Sequence, residues 1–424
     1  MFSESKSLLE GLFSDDPSRQ FKSAAKINTI LAKSMSELGP LDTEHLIRSG
    51  VIPRLVHFLG VKDFPKLHYE AACGLTSIAA YRPDLLVAHN VVPILVELIA
   101  SNRDYVREQA IRALCNVAGH PRHRDYVLDA AVGALMPLLD LLSKDTTNLS
   151  MLRFATLTLS HLCRGMSPPT FDQVKHALEL HLHSNDEKVL GNVCSGIQYV
   201  CDGSEDGIQS VIDAGFVPIL VEHLRHPSPS VLIPVLHTIG TIVNKCNHQI
   251  QCVINCGALR ILSDLFNRDY DKNINGATFF ATFSITAGFT EHIQLVIDAN
   301  WIPRLVSMAH NDELGMKSEA VCAISNVTSG VYHDQIKYLV EQGCIKPLCD
   351  LLVYPDPVII SACLNGLENI LKAGEVERNI GDVNNYTLQI EYAEGLEKIE
   401  NLQRHKNNEI YEKALKILET YWGV

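Results

Sequence analysis

The chain has 424 residues, 46% of them hydrophobic and only 7% aromatic, with a formal net charge of −13. That acidic balance disfavours nucleic acid or an anionic membrane as the main ligand and favours a basic partner. Its twelve cysteines form no framework: Cys73, Cys163, Cys194, Cys322 and Cys363 occupy apolar helical positions, the usage of a reducing compartment.

Met1-Phe-Ser-Glu-Ser-Lys-Ser7 lacks a basic start followed by an apolar stretch, so no signal peptide is expected. The longest apolar runs fall far short of the roughly 20 residues that cross a bilayer. The chain is expected in the cytoplasm and nucleus.

In chain order, residues 1–33 suggest a cap, with Ser3 to Lys33 as partial helices. A unit in the low forties then recurs, marked by a Gly or Asn ahead of an apolar run: Gly50, Asn90, Gly133, Gly215, Gly257, Asn300 and Gly343. From Gly215 to Gly343 the successive gaps are 42, 43 and 43 residues. Within Asp206–Asn247 the spacing predicts three helices, over Gly207–Ala214, Val217–Arg225 and Val231–Asn244. His226-Pro-Ser-Pro-Ser230 separates the last two, because two prolines in a Ser-rich stretch cannot continue a helix. The same triplet fits Gln251–Gly288, His292–Gly330 and Asp334–Leu371. Phe171–Gly203 is a weak unit, whose second helix near His176–His183 has no turn Gly. A polar connection follows over Lys372–Tyr386, and a Glu-rich helical pair over Thr387–Tyr421 closes the array.

A period in the forties with three helices per unit is the signature of an armadillo-type solenoid. The fold class is therefore all-α, an armadillo-repeat right-handed superhelix of nine or ten units. Its expected parts are a cap over 1–33, repeats lining a concave groove over 34–371, and a connection with an acidic capping repeat over 372–424. Residues four apart share a helix face, so each third helix offers one pair to the groove. The pairs are Cys73/Ser77, Arg112/Asn116, Leu157/His161, Ser195/Tyr199, His237/Thr241, Phe280/Ser284, Cys322/Asn326 and Asn365/Asn369. An Asn ladder suits an extended peptide, because one carboxamide donates to a backbone carbonyl and accepts from a backbone amide.

Val106-Arg-Glu-Gln-Ala110, Leu114-Cys-Asn-Val-Ala-Gly119, His226-Pro-Ser-Pro-Ser-Val-Leu-Ile-Pro234, Ala323-Ile-Ser-Asn-Val-Thr-Ser-Gly330 and Gly366-Leu-Glu-Asn-Ile-Leu371 resemble importin-α in sequence and order. The likeness runs from about Leu8 to Trp422. It implies an adaptor in nucleocytoplasmic transport that binds the basic nuclear localisation signals of cargo proteins. The family's ladder is Trp-x-x-x-Asn. Its Asn role maps onto Asn116 in the larger site and onto Asn326 and Asn369 in the smaller one, with Tyr199 standing where that repeat commonly has Tyr. The C-terminal segment Asp382–Trp422 keeps the family's pattern, which implies contact with the recycling exportin.

The departures are as pronounced. Every first-position Trp is replaced, Arg112 places a positive charge where a ligand cation lies, and a family Asp appears as Asn192. A cation over an indole contributes ~0.5–2 kcal/mol, so losing several slots predicts weak or altered binding of an ordinary basic signal. The family's Arg/Lys-rich arm, which docks on importin-β, is not seen: the first 20 residues hold only Lys6 and Arg19. Importin-β is thus a partner that the resemblance names and that the unseen arm puts in question. A non-carrier scaffold or regulator with a degenerate groove is the alternative.

Phe280 is expected as core or groove wall, and His161 and His237 as solvated replacements. Cys246-x-His248-x3-Cys252-x3-Cys256 bridges two helices, so its side chains are expected in separate layers rather than as a zinc site. No phosphate loop, nucleophile elbow or paired-carboxylate site stands out. No catalysis, cofactor or metal is expected.

Overall fold

The computed structural model describes residues 2–33, 46–61, 64–129, 132–144, 148–288, 290–311, 316–330, 332–377 and 383–423. The expected start of the repeats at 34 and the middle of the expected polar connection, 378–382, lie outside the described residues. Every regular element among the described residues is a helix. The chain divides into two compact units, Met1–Ala214 and Gly215–Val424.

The first unit opens with the pair Phe2–Leu12 and Pro17–Lys33. Its long third helices are Pro65–Tyr81, Asp104–Gly119, Leu149–Cys163 and Glu187–Gly203. Each packs against the next, and Pro17–Lys33 packs against the first of them. The second unit repeats this with Pro229–Val243, Lys272–Thr286, Lys317–Thr328 and Pro357–Glu377. The closing helix Asn408–Tyr421 packs against the last of these. Three of the long helices begin at Pro65, Pro229 and Pro357. Proline suits a helix start because its missing N–H would have no intrahelical acceptor there.

The sequence ruler is a backbone ruler. Gly50, Asn90, Gly133, Gly215, Gly257, Asn300 and Gly343 all adopt positive φ, from 54° at Asn90 to 86° at Gly343. Left-handed backbone is disfavoured for most side chains, and Gly and Asn tolerate it best. At these points the chain leaves a short first helix and turns into the second. Glu394, with φ 60°, does the same ahead of Gly395–Leu402.

The cores are layers of Leu, Ile, Val and Ala between successive helices. Each fully buried Leu or Ile contributes about 1.5–3 kcal/mol. Trp301 is the largest fully buried side chain; its Nε1–H donates to Ser263 Oγ at 2.6 Å, and its ring lies 5.8 Å from that of Phe266.

Three segments differ from expectation. Phe171–His181 is one helix rather than two, because a Thr170–Gln173 capping box starts it and nothing before Leu182 breaks it. The helix from Pro357 continues past Leu371 to Glu377, burying Ala373 on the way. The closing pair is three helices, Asn385–Tyr392, Gly395–Leu402 and Asn408–Tyr421, split at the left-handed Glu394.

Candidate peptide-binding site

The long helices are buried over most of their length, and the ladder positions are where that burial lapses. In Asp104–Gly119, Arg112 and Asn116 are half-buried while Ile111, Ala113, Leu114, Cys115, Val117 and Ala118 are buried. Cys322 and Asn326 repeat the pattern on Lys317–Thr328. On Pro357–Glu377, Asn365 is exposed and Asn369 half-buried. Cys73/Ser77, Leu157/His161, Ser195/Tyr199 and His237/Thr241 also stay half-buried, whereas Ser284 is buried. Each unit therefore carries a stripe of accessible side chains along consecutive helices.

Each of the three ladder carboxamides donates a long bond to a threonine on the preceding long helix. Asn116 Nδ2 donates to the Thr76 carbonyl at 3.4 Å, Asn326 Nδ2 to Thr286 Oγ1 at 3.4 Å, and Asn369 Nδ2 to Thr328 Oγ1 at 3.3 Å. These are long for N–H···O bonds. Asn192 differs: its Nδ2 donates to both the Arg153 carbonyl and Thr156 Oγ1, each at 3.0 Å. It is a structural bridge between helices.

The ring-bearing positions do not stand free. Tyr199 lies under Arg164, whose guanidinium is 5.2 Å from the ring centroid. Arg112 similarly lies 5.0 Å from the centroid of Phe154, on the next long helix. Phe280 lies against Gly240 of the preceding helix, so a Cβ on Gly240 would sit 2.5 Å from Phe280 Cε1. His161 lies across Gly119, 3.1 Å from where a Cβ there would be. Neither histidine is freely solvated as expected: His161 and His237 are half-buried, and His237 packs 5.9 Å from Phe280. Burial, followed by the nearby Arg124 guanidinium, pushes the His161 imidazole below its ordinary value.

The last rung is tied to the closing helix. Lys413 donates to Asn365 Oδ1 and pairs with Glu368 at 3.1 Å, while Lys372 pairs with the same carboxylate at 2.9 Å. Burial alone would raise the pKa of Glu368, but the hydrogen bonds from Lys372 and Lys413 outweigh it and hold it at about 2. Glu368, Lys413, Arg164 and Phe154 were not singled out from sequence. The signal was present for one pair: Arg112 and Phe154 lie 42 positions apart, one repeat.

Among the described residues, no group of three or more His, Cys, Asp or Glu side chains converges as a metal site. Cys246, Cys252 and Cys256 fall at the N-cap, body and C-cap of Asn247–Asn255.

Importin subunit alpha-8 of Arabidopsis thaliana is 54% identical over 99% of this chain and 93% of its own length. The chain belongs to the importin-α family. Armadillo/beta-catenin-like repeat matches cover residues 40–80, 82–119, 204–243, 289–329 and 333–372, and an atypical Arm repeat matches 384–424. An engineered protein of solved structure shares the fold over 99% of both chains, with TM-score 0.81 and 23% identity. A designed armadillo repeat protein, solved in complex with the peptide (KR)4, matches with TM-score 0.50 and 29% identity. That match covers 57% of this chain and 98% of the designed protein. The importin-α chain described here is thus an all-α armadillo-repeat protein.

Proposed function

We propose that this importin-α relative is a nuclear import adaptor that holds extended, basic segments of cargo proteins by reversible binding, without chemistry. The observation that carries the proposal is the recurrence of half-buried Asn116, Asn326 and Asn369 at the same helix face, each with a long, weak internal bond. A carboxamide so placed has its oxygen and part of its donor capacity free for a peptide backbone. Asn326 and Asn369 form the better-preserved stretch, because consecutive rungs of the second unit both carry Asn.

Fluorescence anisotropy with a labelled bipartite basic peptide tests the reading. Each Asn contributes ~0.5–1.5 kcal/mol, so Asn326→Ala with Asn369→Ala is expected to weaken binding by about tenfold or more. Loss of measurable binding at tens of micromolar by the folded wild-type protein would refute a role in carrying basic signals. Traffic between cytoplasm and nucleus, and contact of the C-terminal segment Asp382–Trp422 with a recycling exportin, belong to the same proposal. Purified exportin and importin-β, each titrated with the full chain, test those contacts directly.

The covered rings of Phe154 and Tyr199 favour a second reading, a scaffold that keeps the fold without carrying basic signals. An intact response of basic-peptide binding to the two Asn substitutions separates the carrier from the scaffold.

A further inference from the structure

The last rung of the second unit is filled by the chain itself. Of the eight ladder pairs it alone carries Asn at both positions, exposed Asn365 and half-buried Asn369 on Pro357–Glu377. Lys413, on the closing helix Asn408–Tyr421, brings its ammonium to Asn365 Oδ1 and to the Glu368 carboxylate, the latter at 3.1 Å. Lys372 and Lys416 approach the same carboxylate at 2.9 and 3.6 Å. Of these three lysines, Lys413 is the one that also bonds a ladder side chain.

An ammonium has three donors and no acceptor, so a carboxamide oxygen beside a carboxylate suits it well. The last rung offers that pairing, and Lys413 has taken it. The anion is permanent. Burial would raise the Glu368 carboxyl, but the hydrogen bonds from Lys372 and Lys413 outweigh it and hold it at about 2. With Lys413 replaced, Lys372 and Lys416 still keep that carboxyl ionised. Asn365 is exposed, so its oxygen would then be open to an ammonium arriving from solvent.

We propose that Lys413 is a specificity-determining residue that ends the second unit's peptide stripe, filling from within the place at Asn365 and Glu368 that a ligand lysine would take. A bound basic segment therefore stops at Asn369. This rests on the ladder being a peptide-binding stripe, and it sets where that stripe closes.

The experiment uses the full chain and a labelled Lys/Arg-rich peptide. Anisotropy gives the affinity, and hydrogen exchange of Lys317–Thr328, Pro357–Glu377 and Asn408–Tyr421 locates the bound peptide. Lys413→Met keeps the apolar stem and removes the ammonium. It is expected to tighten binding about tenfold, the scale of one charge-assisted hydrogen bond, and to extend protection to the turn around Asn365. Adding Asn365→Ala should abolish most of that gain. Lys413→Arg should stay closed. Lys416→Met makes the same change in net charge without opening the rung, and should leave the affinity near that of the wild type. Where Lys413→Met loosens the closing helix, Lys413→Gln carries the same test with a weaker internal bond, and a smaller gain is expected.

Unchanged affinity in folded Lys413→Met or Lys413→Gln overturns the proposal. So does an equal gain from Lys416→Met, which would reduce the effect to net charge, or a gain that survives Asn365→Ala. Failure of the underlying reading shows differently, as a wild-type protein that does not bind the peptide or binds it without regard to Asn326→Ala with Asn369→Ala.

Discussion

Replacing Gly240 by Ala tests how the Phe280 rung is built. Gly240 lies inside Pro229–Val243 and is fully surrounded. An added Cβ would sit 2.5 Å from Phe280 Cε1 and 3.3 Å from Ala281 Cα. The first distance is far inside van der Waals contact, so the ring has to leave its seat. The second asks only a few tenths of an ångström from the neighbouring backbone. Ala is better than Gly in a helix interior by about 1 kcal/mol. Overpacking typically costs about 1–3 kcal/mol. The net expectation is a destabilisation of up to about 2 kcal/mol in the wild-type background. With Phe280→Ala already present the ring is gone, the propensity gain survives, and Gly240→Ala becomes neutral or stabilising by up to about 1 kcal/mol. The two substitutions should therefore couple by about 2 kcal/mol. Amide hydrogen exchange in Pro229–Val243 measures this locally. The same effect of Gly240→Ala in both backgrounds would show that the ring does not rest on this helix.

Glu394→Gly removes a side chain from a left-handed position that costs a non-Gly residue about 1–2 kcal/mol. Its 3.9 Å pairing with Lys398 is exposed on the Glu side and adds little. A gain of about 1 kcal/mol in the stability of the second unit is expected, read as a higher melting temperature. Glu368→Gln leaves Lys372 and Lys413 without their anion, and a loss of about 1–3 kcal/mol is expected in the exchange stability of Asn408–Tyr421. Because the pKa of Glu368 is held at about 2, its contribution is present above the ordinary carboxylate range and is lost as pH falls toward that value. His68, His123, His161 and His292 are all pushed below 6.5, first of all by burial. In the unfolded chain they take up protons first, so stability held above pH 6.5 should decline as pH falls below it. A melting temperature that is flat between about pH 7.5 and 5.5 would contradict this.

The parts of the fold legible in the sequence are those governed by local backbone rules. Left-handed turns favour Gly or Asn, and seven of them, one repeat apart except for a double step from Gly133 to Gly215, mark the repeat in the sequence itself. Glu394 escaped because its residue type does not advertise positive φ. The continuous helix Phe171–His181 was misdivided because periodicity alone does not show where one helix ends without a breaker. At the site, the positions of the pairs were legible because residues four apart share a face. What their side chains do was not. Whether Arg112 faces a ligand or a ring depends on Phe154, a residue on another helix. Whether Phe280 stands up or lies down depends on the missing Cβ of Gly240.

The two kinds of Asn separate structural need from binding capacity. Asn192 spends its donors at 3.0 Å on Arg153 and Thr156, and the buried Asn384 makes bonds of 2.9 and 3.0 Å to Leu371 and Glu375. Carboxamides that hold helices together sit at these distances. Asn116, Asn326 and Asn369 sit at 3.3–3.4 Å from their acceptors and remain half-buried. A polar side chain kept at a helix face for packing alone would be expected to close that gap, since the bond weakens with distance and the burial cost is already partly incurred. A backbone strand laid along the stripe would complete what the helices leave unfinished. The chemistry of the neighbouring rungs then decides which strand it is. In the first unit Arg112 and Arg164 lie over the rings of Phe154 and Tyr199 and put positive charge beside the stripe. In the second unit, Lys413 already occupies Asn365, which leaves Asn326 and Asn369 as the pair open to a ligand.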